Sequence, residues 1–335
     1  MPPSTESPVN PAMLEALLRR SAGREAIRFS EFMDVALYDP VVGYYRKDKA
    51  RIGFGSGTDF LTATTSSPVF GRLVAAACVE LLGPADPGMF EFVEIGAERG
   101  AGVLDGVDHR FASVRLATVG ETLAVEGPSI VFSNELFDAQ PFRRFRRTAA
   151  GWREMGVSLG GPGLAEVVLE GKVPDCAPLP EDAQEGYTID APLAAASLAA
   201  SLASMPWEGL FLAFDYGKSW QEIAYESPAG TGRAYRRHAQ GNDLLSHPGN
   251  QDLTCHVCWD WIRDALGNAG FKEPKLESQE AFFVRHASAC VEAIAAAGAG
   301  RVSREKLSLM QLLHPAHMGQ KFQALWALRG TPFPP

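Results

Sequence analysis

The sequence predicts an α/β fold built on a mixed sheet, and three observations lead to it. A helical stretch, Pro68 to Leu82, passes through Gly83-Pro84 into the short strand pattern Phe90-Glu91-Phe92-Val93-Glu94-Ile95, which ends at Gly96. Helix, strand and glycine loop in that order place exposed backbone at the carboxyl edge of a sheet, where a ligand can approach. A second apolar run, Ser129 to Ser133, breaks off into the polar pair Asn134-Glu135. From Phe142 to Glu170 strand patterns follow one another without helices, so this part reads as antiparallel and the whole sheet as mixed.

Met13, Leu14, Leu17 and Leu18 recur at helical spacing, and a second helix is expected from about Ser30, a good N-cap, to Leu37, stopped by Asp39-Pro40. The glycine-rich, aromatic-bearing stretch Val42 to Phe60 reads as a long structured loop. Strands are expected at Val114 to Val119, Ser129 to Ser133, Phe142 to Arg147, Trp152 to Leu159, Leu164 to Glu170 and Leu210 to Tyr216. Helices are expected at Pro192 to Ser204, around Trp259, Ile262 and Leu266, and at Cys290 to Ala297 and Arg304 to Leu313. The organisation this suggests is a disordered leader at 1–12, helices and a covering loop at 13–89, and a sheet core with insertions at 90–335.

A formal net charge of −9 would repel phosphate backbones, which argues against a nucleic-acid partner. The one basic run, Arg143 to Arg147, is interleaved with Phe142 and Phe145 and reads as a solvated strand with alternating faces. No stretch is long enough to span a bilayer, and the first residues, MPPSTESPVNP, lack the apolar or arginine-rich pattern of an address signal. Five scattered cysteines, an odd number, favour a reducing compartment, hence the cytoplasm.

The segment Glu94-Ile-Gly96-Ala-Glu98-Arg-Gly100 fits a dinucleotide loop, a phosphate loop or an ordinary strand-to-helix turn; the absence of Gly-Lys-Ser/Thr demotes the second. Asn134, Glu135 and Asp138 would emerge at the same sheet edge, where carboxylates can hold a cation or take a proton, or merely favour a helix dipole. Asp215-Tyr216-Gly217 and the loop Gln251-Asp252-Leu-Thr254-Cys-His256 could line the same cleft, although a lone histidine is more often structural. Cys255-His256-Val-Cys258 lacks the second ligand pair of a structural zinc site, so no metal is expected.

In order along the chain, FSEFMDVALYDPVVGYYRK, GTDFLTA, SSPVFGRL, EIGAERG, SNELFDAQP, FDYG, TGRAYRRH, GNQDLTCHV and LLHPAHMGQKFQAL resemble the MidA-type methyltransferases, from about Phe29 to Leu328. The resemblance implies a class I, Rossmann-like S-adenosylmethionine-dependent methyltransferase with helical N-terminal and inserted segments. It also implies a protein partner: in the mitochondrial branch, an arginine of a respiratory complex I subunit, methylated during assembly. Carried over by position, Glu94, Gly96, Ala97, Gly100 and Glu121 would hold the cofactor, and Asp59, Phe60 and Thr62 would close over it. Asn134, Glu135 and Asp138 would face the transferred methyl group, with Asp252 and His256 on the acceptor side.

Three positions depart from the family pattern. Glu98 stands where a glycine is usual, adding bulk and a charge that would repel the cofactor's carboxylate. The stretch from Leu116 to Ile130 is short, leaves room only for a truncated helix and offers Glu121 alone for the ribose hydroxyls. Gln140 replaces a usual leucine. These departures support an alternative function, a catalytically impaired relative that acts as a protein-binding or assembly factor.

Overall fold

The computed structural model describes residues 9–46, 68–97, 102–161, 163–297 and 303–330. The chain begins with α1 (Pro11–Ser21), β1 (Ala26–Arg28), α2 (Phe29–Tyr38), α3 (Pro68–Leu82), β2 (Glu91–Ile95), β3 (Ser113–Ala117) and β4 (Gly127–Asn134). Four strands follow: β5 (Arg143–Thr148), β6 (Gly151–Ser158), β7 (Ala165–Val168) and β8 (Thr188–Ala191). Next come α4 (Leu193–Ala203), β9 (Trp207–Asp215), β10 (Gly217–Lys218), α5 (Trp220–Tyr225), β11 (Arg233–Arg236), β12 (Ala239–Gly241), β13 (Asp252–Thr254) and β14 (Val257–Cys258). The remainder is α6 (Trp259–Asn268), β15 (Lys272–Ser278), α7 (Gln279–His286), α8 (Ser288–Ala296), α9 (Arg304–Leu313) and β16 (Gln323–Arg329).

Residue contacts divide the chain into two compact units, each drawn from three stretches: Met1–Phe60, Phe137–Ser197 and Lys218–Asp260 in the first, Leu61–Leu136, Leu198–Gly217 and Trp261–Pro335 in the second. The second unit holds a six-stranded sheet in the order β15-β16-β9-β4-β2-β3. Strands β3, β2, β4 and β9 are parallel, whereas β16 runs antiparallel to both β9 and β15. Central parallel strands are covered on both faces, which is why Ile130, Val131 and Phe132 and the run Leu210 to Phe214 are apolar without alternation and buried throughout. Gly209 opposes Ser129 in that pairing, at φ +133°, and a Cβ there would collide with the Ser129 carbonyl oxygen. The α3 face of Phe70, Leu73, Val74 and Ala77 joins the same core, Phe70 meeting the Phe214 ring edge-on at 5.4 Å.

Parallel neighbours are normally joined through a helix. Among the described residues, 102–112 between β2 and β3 hold no α-helix, and neither do residues 118–126 between β3 and β4, where a truncated helix was expected.

In the first unit β1, β6, β5 and β8 form an antiparallel sheet with β7 on β6, and β11 lies between β12 and β13. Helix α1 starts with Pro11 after Asn10, whose side chain accepts the Ala12 N–H at 2.9 Å. Helix α2 does not begin at Ser30 as expected: β1 runs straight into it, its N-cap is Arg28, and the Glu31 carboxylate accepts the Arg28 N–H at 2.9 Å. Phe29, Phe32, Met33, Ala36 and Leu37 form its buried face.

The arginine run is not a solvated strand. It is β5, held between β6 and β8, and Arg144 is only 7% exposed. Arg143 pairs with Glu154, Arg146 with Glu166, and Arg144 with both Glu166 and Asp190. Glu154 and Asp190 lie on the strands that flank β5, and Glu166 on β7 beyond β6, so these arginines are matched by carboxylates of the same sheet.

Candidate active site

In the six-stranded sheet the chain steps from β2 outward to β3, then returns past β2 to β4. Strand order therefore reverses between β2 and β4, and the crevice outside their carboxyl ends is where doubly wound sheets bind ligands. Ile95 pairs with Ser133 across that point, so Gly96 and Asn134 leave the sheet side by side. Gly96 has φ +78°, donates its N–H to the Ala117 carbonyl at 2.9 Å, and has Leu136 Cδ1 2.7 Å from where a Cβ would stand. Only glycine meets both conditions. Ala97 beside it is buried.

Glu94 sits within β2, and its Oε2 accepts the Val103 N–H at 2.7 Å. Burial drives its pKa up to about 7 against the lowering effect of that hydrogen bond, with Asp105 adding to the rise. The carboxylate ties the far side of the glycine loop back to the strand it leaves. Glu121 follows β3 at the same sheet end and closes its own turn: its Oε2 accepts the Thr118 N–H at 2.9 Å, and its N–H donates to the Thr118 carbonyl at 3.2 Å.

Asn134 ends β4. Its Nδ2 donates to Glu135 Oε1 at 3.0 Å, while its Oδ1 is buried with no hydrogen-bond partner among the described residues. Glu135 has φ +51°, a conformation that costs a residue with a Cβ roughly 1–2 kcal/mol. Its N–H is anchored to the Phe214 carbonyl at 2.9 Å, which holds the strained residue at the strand end. Backbone strain of this kind collects at functional sites.

The remaining candidates lie in the first unit. Asp138 is buried, and its carbonyl accepts the Cys255 N–H at 2.9 Å, which brings Asp138 against the segment carrying Asp252 and His256. Asp252 is buried in β13, with Oδ1 accepting the Tyr45 hydroxyl at 2.8 Å. Neither Tyr45 nor Tyr38 was singled out from sequence, although both stand in the segment YDPVVGYY that carries the resemblance. Asp59, Phe60, Thr62, Glu98 and Gly100 lie outside the described residues. Among the described residues no group of three or more His, Cys, Asp or Glu could hold a metal ion.

His256 donates its backbone N–H to Thr231 Oγ1 at 3.3 Å. Burial first, then Lys218 and Arg233, lower its pKa to about 4 in spite of Glu222. It is therefore neutral at physiological pH and a weak proton acceptor. The unfolded chain takes up this proton first as pH falls, so stability present above about 6.5 is lost progressively down to about 4. His256→Gln is expected to flatten that part of the curve in urea unfolding measured from pH 7 to 4; an unchanged slope would place the titration on other groups.

Comparison with known proteins places these features in a lineage. Residues 112–275 match the family described as "Putative S-adenosyl-L-methionine-dependent methyltransferase". The protein arginine methyltransferase NDUFAF7, mitochondrial, of Danio rerio is 26% identical over 79% of this chain and 74% of its own length. The Homo sapiens protein of that name is 24% identical over 77% of this chain and 69% of its own. A crystal structure of a COG1565 superfamily member from Burkholderia thailandensis, bound to S-adenosyl-homocysteine, shares the fold, with TM-score 0.80 and 23% identity over 98% of this chain and 96% of that one. The family match, the relatives along most of the chain and the common fold agree with the strand-end geometry: this chain is similar to the MidA-type S-adenosyl-L-methionine-dependent methyltransferases and shares their fold.

Proposed function

We propose that the chain binds S-adenosylmethionine and methylates an arginine side chain of a protein. The observation that carries the reading is the pairing at the switch point: bare backbone at Gly96 beside Asn134 and the strained, anchored Glu135. The donor set fits the cofactor. Gly96 and Ala97 offer backbone at the carboxyl end of β2, Asn134 offers a buried acceptor oxygen, and Glu121 follows β3, where ribose hydroxyls are commonly bound. When bound, the cofactor supplies a methyl group on a sulfonium, open to in-line displacement.

The protein's own contribution is orientation and exclusion of water. Glu135 accepts N–H groups of a guanidinium, a planar fork that carboxylates bind with charge-assisted, paired hydrogen bonds. Asn134 keeps Glu135 in place through its Nδ2 contact. The acceptor protein we propose is a respiratory-complex subunit, on the strength of the ordered motifs. A cytoplasmic location is proposed from cysteine usage; none of the five cysteines forms a disulfide. Among the described residues no helix is long and apolar enough to cross a membrane.

A second reading, a protein-binding or assembly factor that ignores the cofactor, is favoured by the lack of an α-helix in the described residues 102–112 and 118–126 on either side of β3 and by the Glu121 carboxylate closing its own turn. Calorimetric titration with S-adenosylmethionine and S-adenosylhomocysteine separates the two. Micromolar binding followed by methyl transfer to an arginine peptide supports the transferase; no binding at millimolar ligand to folded protein supports the second reading. In the transferase, Glu135→Gln should cut turnover roughly 10- to 100-fold, the worth of one charged hydrogen bond, and leave cofactor affinity unchanged.

A further inference from the structure

The first unit contains an aromatic and acidic assembly that the sequence did not announce. Tyr38 is the last residue of α2. The chain then turns sharply: Asp39 Oδ1 accepts the N–H groups of Val41 and Val42, and Gly43 donates to the Asp39 carbonyl at 2.9 Å. A Cβ on Gly43 would meet that carbonyl at 2.6 Å, so the turn depends on glycine. It folds Tyr45 back onto Tyr38, with ring centroids 5.6 Å apart and planes 19° from parallel, and Tyr44 packs edge-on against Tyr45 at 5.1 Å.

Each phenol of the stack grips one acidic segment. Tyr45 donates to Asp252 Oδ1 at 2.8 Å, and Tyr38 donates at 2.9 Å to the carbonyl of Ala139, the residue after Asp138. The Cys255 N–H on the Asp138 carbonyl joins the two segments from the other side. Burial, then Asp252 and Asp138, push both phenols well above the ordinary tyrosine range, so they remain protonated and act as donors.

We infer that Tyr45 and Tyr38 are positioning residues for the methyl acceptor, fixing the Asp252 carboxylate and the Asp138 segment so that they select a guanidinium over an ammonium. The inference rests on the arginine reading above and names two residues that would give it specificity. A guanidinium presents a rigid planar fork and needs a carboxylate whose plane is set, whereas an ammonium is a point charge indifferent to that plane. Pinning one oxygen of Asp252 sets the plane. A hydroxyl that served stability alone would affect both cations equally.

The test is calorimetric titration of the full chain, saturated with S-adenosylhomocysteine, with N-acetyl-arginine amide and with N-acetyl-lysine amide. The wild-type chain is expected to prefer the arginine probe. Tyr45→Phe should weaken that probe about tenfold, leave the lysine probe within twofold and leave cofactor affinity unchanged. Tyr38→Phe should act in the same direction, and Asp252→Asn should remove the preference. Equal losses for both probes, undiminished arginine binding in Tyr45→Phe, or a wild-type chain without preference would overturn the inference. Cofactor binding without a guanidinium preference would retain the transferase and reject this role. A preference that Tyr45→Phe abolishes, found without any cofactor binding, would retain the role and reject the transferase.

Discussion

Gly96→Val is expected to abolish cofactor binding, lowering affinity for S-adenosylhomocysteine at least 100-fold. Two costs coincide at this position. Valine must adopt φ +78°, where a β-branched residue loses roughly 1–2 kcal/mol, and its Cβ would lie 2.7 Å from Leu136 Cδ1. The partly buried Leu136 side chain must change rotamer to make room, and it does so where the glycine loop meets the Glu135 turn, the two features assigned to ligand binding. The backbone penalty at φ +78° has no such relief and falls directly on the glycine loop. Gly96→Ala keeps the backbone penalty with less bulk and should fall between. Titration alongside far-ultraviolet circular dichroism separates lost binding from lost fold; a folded valine variant that binds like the wild type would remove Gly96 from the site.

The largest effect on stability is expected from Asp190→Ala, about 3–5 kcal/mol in urea unfolding at neutral pH, because it strips a buried cation of its principal partner. Asp190 is fully buried, accepts Arg144 Nε at 2.7 Å through Oδ1, and accepts the Gly232 N–H at 2.7 Å through Oδ2. Arg144 lies over the Phe29 ring at 4.9 Å and would keep only Glu166. The loss should come from the stranded charge more than from the missing contact. Arg144→Met added to Asp190→Leu is accordingly expected to recover much of it, and failure of that pair to recover would assign the cost to packing.

Features written in local pattern were legible in the sequence. Helix α3 occupies the expected Pro68 to Leu82, and the apolar runs at Ser129 and Leu210 became adjacent central strands. From those strand ends the neighbourhood of Gly96, Asn134 and Glu135 could be read directly, since parallel strands deliver their carboxyl ends to one edge. Features made by distant partners were not legible. Arg144 resembled a surface arginine because Glu166 and Asp190 are 22 and 46 residues away. The sequence KEPKLES, with its proline and charges, hid the edge strand β15, and the short β11 to β13 carried too few residues to show alternation. Tyr45 and Asp252 are 207 residues apart, a pairing that no spacing rule contains.

The placement of β16 bears on how the chain reaches its fold. This strand lies between β9 and β15, with Gln323 opposite Asp215 and Arg329 opposite Gly209, so an interior member of the sheet is the last to be synthesised. Until it arrives, β9 and β15 each present an open edge able to pair with another chain. Contacts of such sequence separation form slowly, and ribosomal synthesis at about 5–20 residues per second lengthens the interval. Refolding yield should therefore fall with protein concentration, and a nascent chain halted before Gln323 should be the species that chaperones hold longest.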